Sequence, residues 1–245
     1  MSILIDSVSF SYDDENKILD SVSLEIEKND FVAILGKNGS GKTSLSYSIN
    51  GLIPHAIPGK LSGNIFIDGK NTKNISIGEI SKKVGTVFQD PNMVIFNLTV
   101  EEEVSFGINN LKLDHPKERI EKALKAVGLE GFEKRDPQNL SGGQKQLLCI
   151  ACVLAMGTDY IILDEPISNL DYSNTKLVYK ILKSIHKQGK TIIVVEHDTD
   201  MVWANSNKTI IIDDHKIIKN GPTKKILKNN KELISLGIRP VSRKI

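Results

Sequence analysis

One glycine-rich segment has the residue types needed to hold phosphate groups. It follows the apolar run FVAIL, precedes the helix-like TSLSYSI, and reads Gly36-Lys37-Asn38-Gly39-Ser40-Gly41-Lys42-Thr43. Glycines let backbone N–H groups turn inward around phosphate oxygens, a lysine offsets the β and γ charge, and a threonine hydroxyl can reach Mg²⁺. With a strand before it and a helix after it, the segment predicts a phosphate site rather than a plain turn.

A pair of carboxylates follows another apolar run. Residues 160–163 lead directly into Asp164 and Glu165, and apolar surroundings penalise carboxylates unless a cation or a reacting group is present. Asp164 fits an acid that holds Mg²⁺ through water, and Glu165 fits a base that polarises an attacking water. Alone, such a pair is more often a helix cap; beside a phosphate loop, the catalytic interpretation is favoured.

A third motif, Leu140-Ser141-Gly142-Gly143-Gln144, opens an apolar helical segment. Ser141 is predicted to be the N-cap of this helix. A cap alone does not need two following glycines, which reduce helix stability. We therefore expect the glycines to allow close backbone approach to an anion at the positive end of the helix.

Apolar, β-branched runs recur and predict the main sheet. Continuous rather than alternating hydrophobicity is typical of strands buried on both faces. Helical patterns fall between several runs, at 116–127 and at 173–188, where Leu177, Ile181 and Ile185 form the expected apolar stripe. This alternation predicts an α/β fold with a doubly wound parallel sheet. The five runs are residues 31–35, 84–88, 160–163, 191–195 and 209–212.

Two regions depart from this alternation. The first 30 residues, and GNIFIDGK further on, alternate apolar and polar residues, which predicts a small antiparallel sheet beside the parallel one. The mainly helical sequence from about residue 90 to 156 separates two strands of the main sheet, and we expect it to form an inserted helical subdomain.

The composition is that of an ordinary globular protein, with 245 residues, 40% hydrophobic and 25% charged. It excludes disordered and fibrous classes. The longest apolar stretch, residues 147–157, is too short to cross a bilayer, and the N-terminus lacks a basic segment followed by a long apolar one. We expect a cytosolic protein whose membrane role would need a partner.

The two cysteines and a basic segment near the end of the sequence each allow both a structural and a functional interpretation. Cys149 and Cys152 have a Cys-x-x-Cys spacing, but they lie in an apolar helical run without a second ligand pair, so buried structural thiols are favoured over zinc or redox chemistry. Residues 216–245 hold nine Lys/Arg against one acid. A solvated surface is favoured there over lipid or nucleic-acid binding, because no aromatics interleave with the cations.

The three motifs, in this order and spacing, resemble those of the ABC ATPases, and the LSGGQ motif is specific to that family among phosphate-loop proteins. The likeness covers essentially the whole chain. It extends to Gln89 (the Q-loop), His197 (the switch histidine) and Tyr12, which stands where the family places an aromatic on adenine. Each also has a structural interpretation: Gln89 as a polar residue at a strand end, His197 as a core or surface residue, and Tyr12 as a residue that fills a strand position. The D-loop resemblance is carried by Ser168, Asn169, Leu170 and Asp171.

The resemblance implies a P-loop NTPase ABC cassette over residues 1–220, with a basic C-terminal extension over 221–245. It implies ATP and Mg²⁺ as ligands, catalytic roles for Glu165, His197 and Gln89, and metal contacts from Thr43, Gln89 and Asp164. In this family two cassettes associate head to tail, so residues 141–144 would act on the nucleotide of the opposite subunit, and Asp171 would couple the two sites. Whether the dimer is a homodimer or a heterodimer stays open.

Local segments further resemble the energy-coupling factor (ECF) transporters, which import vitamins or transition-metal ions. These are FQDPNMVIFNLTVEEEVSFG, NGLIPHAIPGKLSGNIFIDGK and ILKNNKELISLGIRP, although Val94 and Leu147 depart from the group's usual glutamine and arginine. The likeness implies a transmembrane scaffold, a separate substrate-binding membrane subunit, a place on the cytoplasmic face of the membrane, and no nucleic-acid partner.

Two other functions remain open from the sequence. A soluble ABC ATPase of DNA repair or translation would carry a long coiled-coil insertion or a second cassette, and neither is present. A non-catalytic nucleotide switch or degenerate partner subunit is disfavoured because every catalytic position is intact.

Overall fold

The computed structural model of the protein describes residues 1–13, 16–168 and 170–242. The predictions made for Asn169 therefore lie outside the described residues. The strands in chain order are β1 (Ser2–Ser11), β2 (Lys17–Glu27), β3 (Phe31–Leu35), β4 (Lys60–Ile67), β5 (Lys70–Asn71), β6 (Val84–Val87), β7 (Tyr160–Asp164), β8 (Thr191–Val195), β9 (Lys208–Asp213) and β10 (Lys216–Pro222).

The helices connect and cover these strands. They are α1 (Lys42–Ile49), α2 (Leu52–His55), α3 (Ile77–Ser81), α4 (Val100–Asn110), α5 (Pro116–Val127), α6 (Gly142–Met156), α7 (Tyr172–Lys187), α8 (Thr199–Asn205), α9 (Thr223–Ile226) and α10 (Asn230–Ser235), with short 3-10 turns at Thr72–Asn74, Pro91–Met93 and Pro137–Asn139.

The main sheet has six strands in the order β10-β9-β3-β8-β7-β6. The pairs from β9 to β6 are parallel, and β10 adds an antiparallel edge. Phe31, Ala33 and Leu35 of β3 contribute to one hydrophobic cluster, and Val32 and Ile34 to a second on the opposite face. Burial on both faces is the reason for the continuous apolar runs, and it confirms the predicted α/β fold.

The small sheet has the order β2-β1-β4-β5 and is antiparallel throughout. In β1 the buried residues Ile3, Ile5, Val8 and Phe10 are separated by exposed or half-buried polar residues and Leu4, with one extra residue between Ile5 and Val8. Its buried side joins the cluster behind β3. The predicted antiparallel subdomain is thereby confirmed.

Helices α4, α5 and α6 lie between β6 and β7 in the chain, and they contact one another to form a helical layer. Helix α5 begins and ends where the periodicity predicted. Helix α7 also forms, but its predicted stripe is partly wrong, because Leu177 is 38% exposed and the buried residues are centred on Val178 and Leu182.

The predicted boundary after residue 220 stays a prediction. In the structure β10 runs across this position, and Leu227 and Leu233 beyond it are buried in the main cluster. No helix within the described ranges has the length and apolar character to span a bilayer.

Candidate functional site

The phosphate loop joins the carboxyl end of β3 to α1, and its glycines are required by the backbone. Gly41 stands at φ 104° as the N-cap of α1, a conformation that L side chains rarely adopt. A Cβ there would lie under 3.0 Å from the carbonyl oxygen of Ile18 in β2. Gly36 is similarly confined, with the carbonyl of Ile212 in β9 on its Cβ side. Strands from both sheets therefore dictate the loop's path.

Lys42 holds its ammonium group inside this loop. The side chain is buried, and Nζ donates to the carbonyl oxygens of Gly36 at 2.9 Å and Lys37 at 2.8 Å. Burial lowers the pKa of Lys42, while the charges of Glu165 and Asp164 act in the opposite direction. A fixed cation at this place complements phosphate oxygens.

The remaining loop side chains differ in exposure. Lys37 and Asn38 are exposed, with Lys37 Nζ lying 3.7 Å from Asp213. Ser40 is buried, and its Oγ has no hydrogen-bond partner among the described residues. Gly39, at φ 77°, has no described atom within 4 Å of a Cβ position. The loop thus presents an open side to a ligand.

Asp164 is the last residue of β7 and is only 2% exposed. Burial raises the pKa of its carboxyl group, and a hydrogen bond from Thr43 counteracts that rise. Its Oδ1 has no partner within the described part of the chain. A buried carboxylate oxygen without a donor fits a hard cation, and a hydroxyl with a carboxylate is the ligand type that Mg²⁺ prefers.

The fit is to a metal that also takes water and phosphate oxygens. Across residues 1–13, 16–168 and 170–242, no group of three or more His, Cys, Asp or Glu could hold a metal by itself. Thr43 and Asp164 would supply part of the coordination of Mg²⁺, and water and phosphate oxygens the rest.

Glu165 lies between two polar side chains from neighbouring strands. Its Oε2 accepts from Gln89 Nε2 at 2.9 Å, and its Oε1 lies 2.9 Å from His197 Nε2. Gln89 follows β6, Glu165 follows β7 and His197 follows β8, so three adjacent parallel strands deliver them to one edge of the sheet. Glu165 adopts φ 46°, a strained backbone of the kind found at functional sites.

Tyr12 lies just beyond β1, 52% exposed, rather than filling a strand position. Its hydroxyl lies 3.2 Å from Ser44 Oγ, and its ring meets Phe10 edge to face at 4.8 Å between centroids. It lines a cleft of about 420 Å³, a size suited to a small ligand. The cleft is also lined by Ile18, Asn38, Gly39, Gly41, Lys42, Thr43, Ser44, Gln89 and Glu165.

The LSGGQ motif forms the N-terminus of α6. Ser141 Oγ accepts from the Gln144 backbone N–H at 3.3 Å, and Gln144 Oε1 accepts from the Ser141 N–H at 3.0 Å, a reciprocal capping box. The predicted N-cap is confirmed. Gly142 is exposed with no described atom within 4 Å of a Cβ position, which leaves its backbone open to another surface.

Gly143 also has a role within the chain that sequence reasoning missed. It is buried, and a Cβ would lie 2.9 Å from Asn174 Nδ2 of α7. Asn174 in turn donates to Asp171, which caps α7, through both its backbone N–H at 2.8 Å and its Nδ2 at 3.1 Å. One asparagine therefore connects the D-loop residue to the LSGGQ motif. The only sequence signal was its place three residues after a cap.

Glu196 is a second residue that the motifs did not reveal. It is 3% exposed, its Oε2 accepts from the His197 backbone N–H at 3.2 Å, and burial raises its pKa to about 8. An acidic residue ending the apolar run TIIVV was the available signal. Its carboxyl group therefore binds the backbone of the loop that carries His197.

The two cysteines are free thiols in α6. Cys149 is buried and its pKa is raised by that burial to about 12, while Cys152 Sγ lies 3.6 Å from the Glu103 carbonyl oxygen. A thiol that ionises so poorly is a weak nucleophile and metal ligand. The structural interpretation is the one that this geometry supports.

Comparisons with known proteins agree with this geometry. Residues 19–168 match the family model for the ABC transporter. A putative ABC transporter ATP-binding protein of Pyrococcus abyssi is 40% identical, covering 98% of this chain and 88% of the relative. The energy-coupling factor transporter ATP-binding protein EcfA of Methanocaldococcus jannaschii is 40% identical, covering 94% of this chain and 82% of the relative.

Two solved structures extend the likeness. The structure of cbiO1 from Clostridium perfringens, part of the ABC transporter complex cbiONQ, has a TM-score of 0.82 at 31% identity and covers 96% of this chain and 94% of that one. A dimeric ATP-binding cassette in a post-hydrolysis state with ADP and Pi has a TM-score of 0.78 at 28% identity, covering 91% and 99%. The phosphate loop, the Glu165 site and the LSGGQ helix thus lie on the fold of an ATP-hydrolysing cassette, and the chain belongs to the ABC transporter family as an ATPase similar to those of the energy-coupling factor and cobalt-type group.

Proposed function

We propose that this ATPase powers ECF-type import of a vitamin or transition-metal ion, working with Mg²⁺ and ATP as one half of a cassette dimer at the cytoplasmic face of the membrane. Its similarity to the energy-coupling factor protein EcfA and to cbiO1, part of the transporter complex cbiONQ, supports this proposal.

The observation that carries the proposal is the separation of two nucleotide-facing motifs within one chain. The cleft beside the phosphate loop is lined by that loop, Tyr12, Gln89 and Glu165, and, within the described residues, by no member of 141–144. The LSGGQ helix nevertheless exposes its capped N-terminus and the open backbone of Gly142. A helix N-terminus is suited to an anion. A second copy placed head to tail would bring it to the first copy's nucleotide.

The residues of the cleft divide the work of binding. Tyr12 offers an aromatic surface for the adenine ring, the loop N–H groups and Lys42 hold phosphate oxygens, and Thr43 with Asp164 would hold Mg²⁺, with Gln89 nearby. The metal, when bound, neutralises charge on the phosphate oxygens. The buried Asp164 oxygen that lacks a donor is the feature of this chain best explained by that ion.

Glu165 is the group placed to take a proton from an attacking water. Its two oxygens are held by Gln89 and His197, so the carboxylate is oriented before a substrate arrives. His197 acts on the same carboxylate and completes the site. Gln89 also begins the exposed segment that follows β6. A movement of that segment would therefore shift Gln89 and change its hydrogen bond with Glu165.

An exposed apolar surface beside the Q-loop fits a membrane partner. Met93, Phe96 and Leu98 are 84%, 61% and 81% exposed, and Phe96 meets the half-exposed Phe106 edge to face at 4.9 Å. Apolar side chains in such a group mark interaction surfaces. We assign this surface to the transmembrane scaffold.

The first test is Glu165→Gln, which keeps the shape of the side chain and removes the base. We expect ATP binding to persist and turnover to fall by about 10²–10⁴-fold, the range for losing a general base. The variant should elute as a dimer with MgATP and as a monomer with MgADP in size-exclusion chromatography. Glu130→Gln, on an exposed loop, is the matched control. A Glu165→Gln protein that stays monomeric with MgATP would contradict the shared site.

The second test addresses the membrane partner. The protein is purified in detergent from its native membranes, and co-purifying multi-span proteins are identified by mass spectrometry. We expect the pair Phe96→Ser and Leu98→Ser to lose them, and Ile234→Ser, a 60% exposed control on α10, to retain them. Co-purification with nucleic acid instead of membrane proteins would favour a soluble ABC ATPase.

A further inference from the structure

The loop that carries His197 runs from β8 into α8, and two of its acidic side chains accept hydrogen bonds from backbone N–H groups of the same segment. Asp198 caps α8, with Oδ1 accepting from the N–H groups of Asp200 and Met201, both at 3.0 Å. Glu196 accepts a hydrogen bond from the His197 backbone N–H. Asp198 and Asp200 therefore lie in the turn by which the chain leaves His197 and enters α8.

The end of the described chain lies across this loop. Residues 237–242, called here the C-terminal strap, follow α10. Ser242 donates to Asp200 through its backbone N–H at 2.7 Å and its Oγ at 2.8 Å. The guanidinium of Arg239 lies 3.5 Å from Asp200 and 3.6 Å from Asp198. Asp198, the N-cap of α8, and Asp200, in its first turn, are thus both bound by the strap.

The strap is itself fixed to the core. Ile238 and Val241 are 7% and 3% exposed and belong to the main hydrophobic cluster. Val241 exchanges two hydrogen bonds with the Asn230 side chain, at 3.0 and 3.2 Å. Thr199 adds a hydrogen bond to the Pro240 carbonyl oxygen at 3.3 Å. A segment so anchored can fix another loop rather than follow it.

The strap also borders the reaction site. Arg239 lines a cavity of about 610 Å³ together with Glu165 and His197. On its other side, Gly237 lies against Lys37 of the phosphate loop, where a Cβ would come 2.8 Å from Lys37 Cε. The strap therefore borders both the phosphate loop and the loop that carries His197.

We propose that the C-terminal strap positions His197 for ATP hydrolysis by fixing, through Asp198 and Asp200, the loop that carries it. The inference rests on the proposed role of His197 beside Glu165. Arg239 and Ser242 are positioning residues in this account, since they reach the reacting groups only through the loop.

The test uses the full-length protein with the paired substitution Arg239→Ala and Ser242→Ala. We expect kcat to fall about tenfold, the range for losing hydrogen bonds to charged groups, with KM for ATP changed less than about twofold and Tm lowered by only a few degrees. The conservative pair Arg239→Lys and Ser242→Thr should restore most of the turnover. Lys231→Ala, an exposed change on α10, is the control.

The decisive readout is the combination with His197→Ala. If the strap acts through His197, removing the strap contacts in that background causes no further loss of turnover, since coupled residues are not additive. An independent readout is the His197 ring signal in ¹H–¹³C NMR spectra, which Ser242→Ala alone should shift while the signals of the other four histidines stay in place.

The possible results distinguish a failure of the proposed role of His197 from a failure of the proposed role of the strap. Wild-type turnover by His197→Ala would overturn both the role of His197 and this inference. Loss of turnover in His197→Ala with normal kcat in the strap variant would overturn the inference alone. An additive further loss, a change confined to KM, or an unmoved His197 signal would also overturn it.

Discussion

Gly41→Ala is expected to damage nucleotide binding while leaving the fold intact. The residue has φ 104°, and a new Cβ would fall under 3.0 Å from the Ile18 carbonyl oxygen and 3.0 Å from Leu19 Cδ2. The backbone strain costs on the order of 1–3 kcal/mol. Restoring ordinary contacts near 3.5–4.0 Å requires a shift of about 1 Å or more between the loop and β2.

A shift of that size is large for a site that grips phosphate through backbone N–H groups. Misplacement by about 1 Å can cost on the order of 10²-fold in rate, so we expect ATP affinity and turnover to fall between about tenfold and a hundredfold. The strain is a fraction of a domain's roughly 5–15 kcal/mol of stability. Isothermal titration with a slowly hydrolysed ATP analogue, phosphate release and a thermal melt measure the three quantities.

Gly39→Ala is the matched control. Its φ of 77° imposes a comparable backbone cost, but no described atom lies within 4 Å of its Cβ position. We therefore expect a milder loss of affinity than for Gly41→Ala. Equal losses in the two variants would show that the contact with β2 does not set the loop's position, and unchanged ATP affinity in Gly41→Ala would refute the reasoning.

Two further predictions concern buried titratable groups. Since burial raises the Cys149 pKa to about 12, its thiolate fraction at pH 8 is about 10⁻⁴. We therefore expect iodoacetamide to leave Cys149 unmodified in the folded protein, as read by mass spectrometry. Rapid labelling of the folded protein would contradict the burial of this thiol. The Glu196 pKa is raised from 4.5 to about 8, so between these values the folded state binds more protons than the unfolded chain, and stability should fall as pH rises through this window. Glu196→Gln should flatten that slope in urea titrations, and an equally steep slope in the variant would contradict the assignment.

The sequence predicted the parts of the fold that depend on local pattern. Strands buried on both faces appear as continuous apolar runs, so β3 and β8 have the predicted limits. The stripe on α7 was less well predicted, because each four-residue step from Leu177 overshoots a full turn by about 40°. Leu177 consequently lies at the edge of the buried face, and only packing against the sheet decides which edge is covered.

The candidate site likewise contains residues that the sequence predicts and contacts that it does not. Residues with fixed spacing, such as Lys42 and Ser141, could be found from the motifs, and Ser141 caps α6 as predicted. The contacts of Asn174 with Gly143 and of the strap with Asp200 join segments far apart in the chain. Such contacts depend on how helices settle against one another, which no local pattern encodes.

The central claim, that two cassettes jointly enclose one nucleotide, is tested most directly by mixing two inactive variants. Lys42→Ala disables the phosphate loop, and Ser141→Arg blocks the LSGGQ surface, so each homodimer has two defective sites. A mixed dimer has one intact site, formed by the loop of one chain and the LSGGQ motif of the other. With random pairing of equal amounts and two independent sites in each symmetric dimer, the account predicts recovery of about one quarter of wild-type phosphate release. Turnover no higher than that of the separate variants, in mixtures shown to contain mixed dimers, would contradict it.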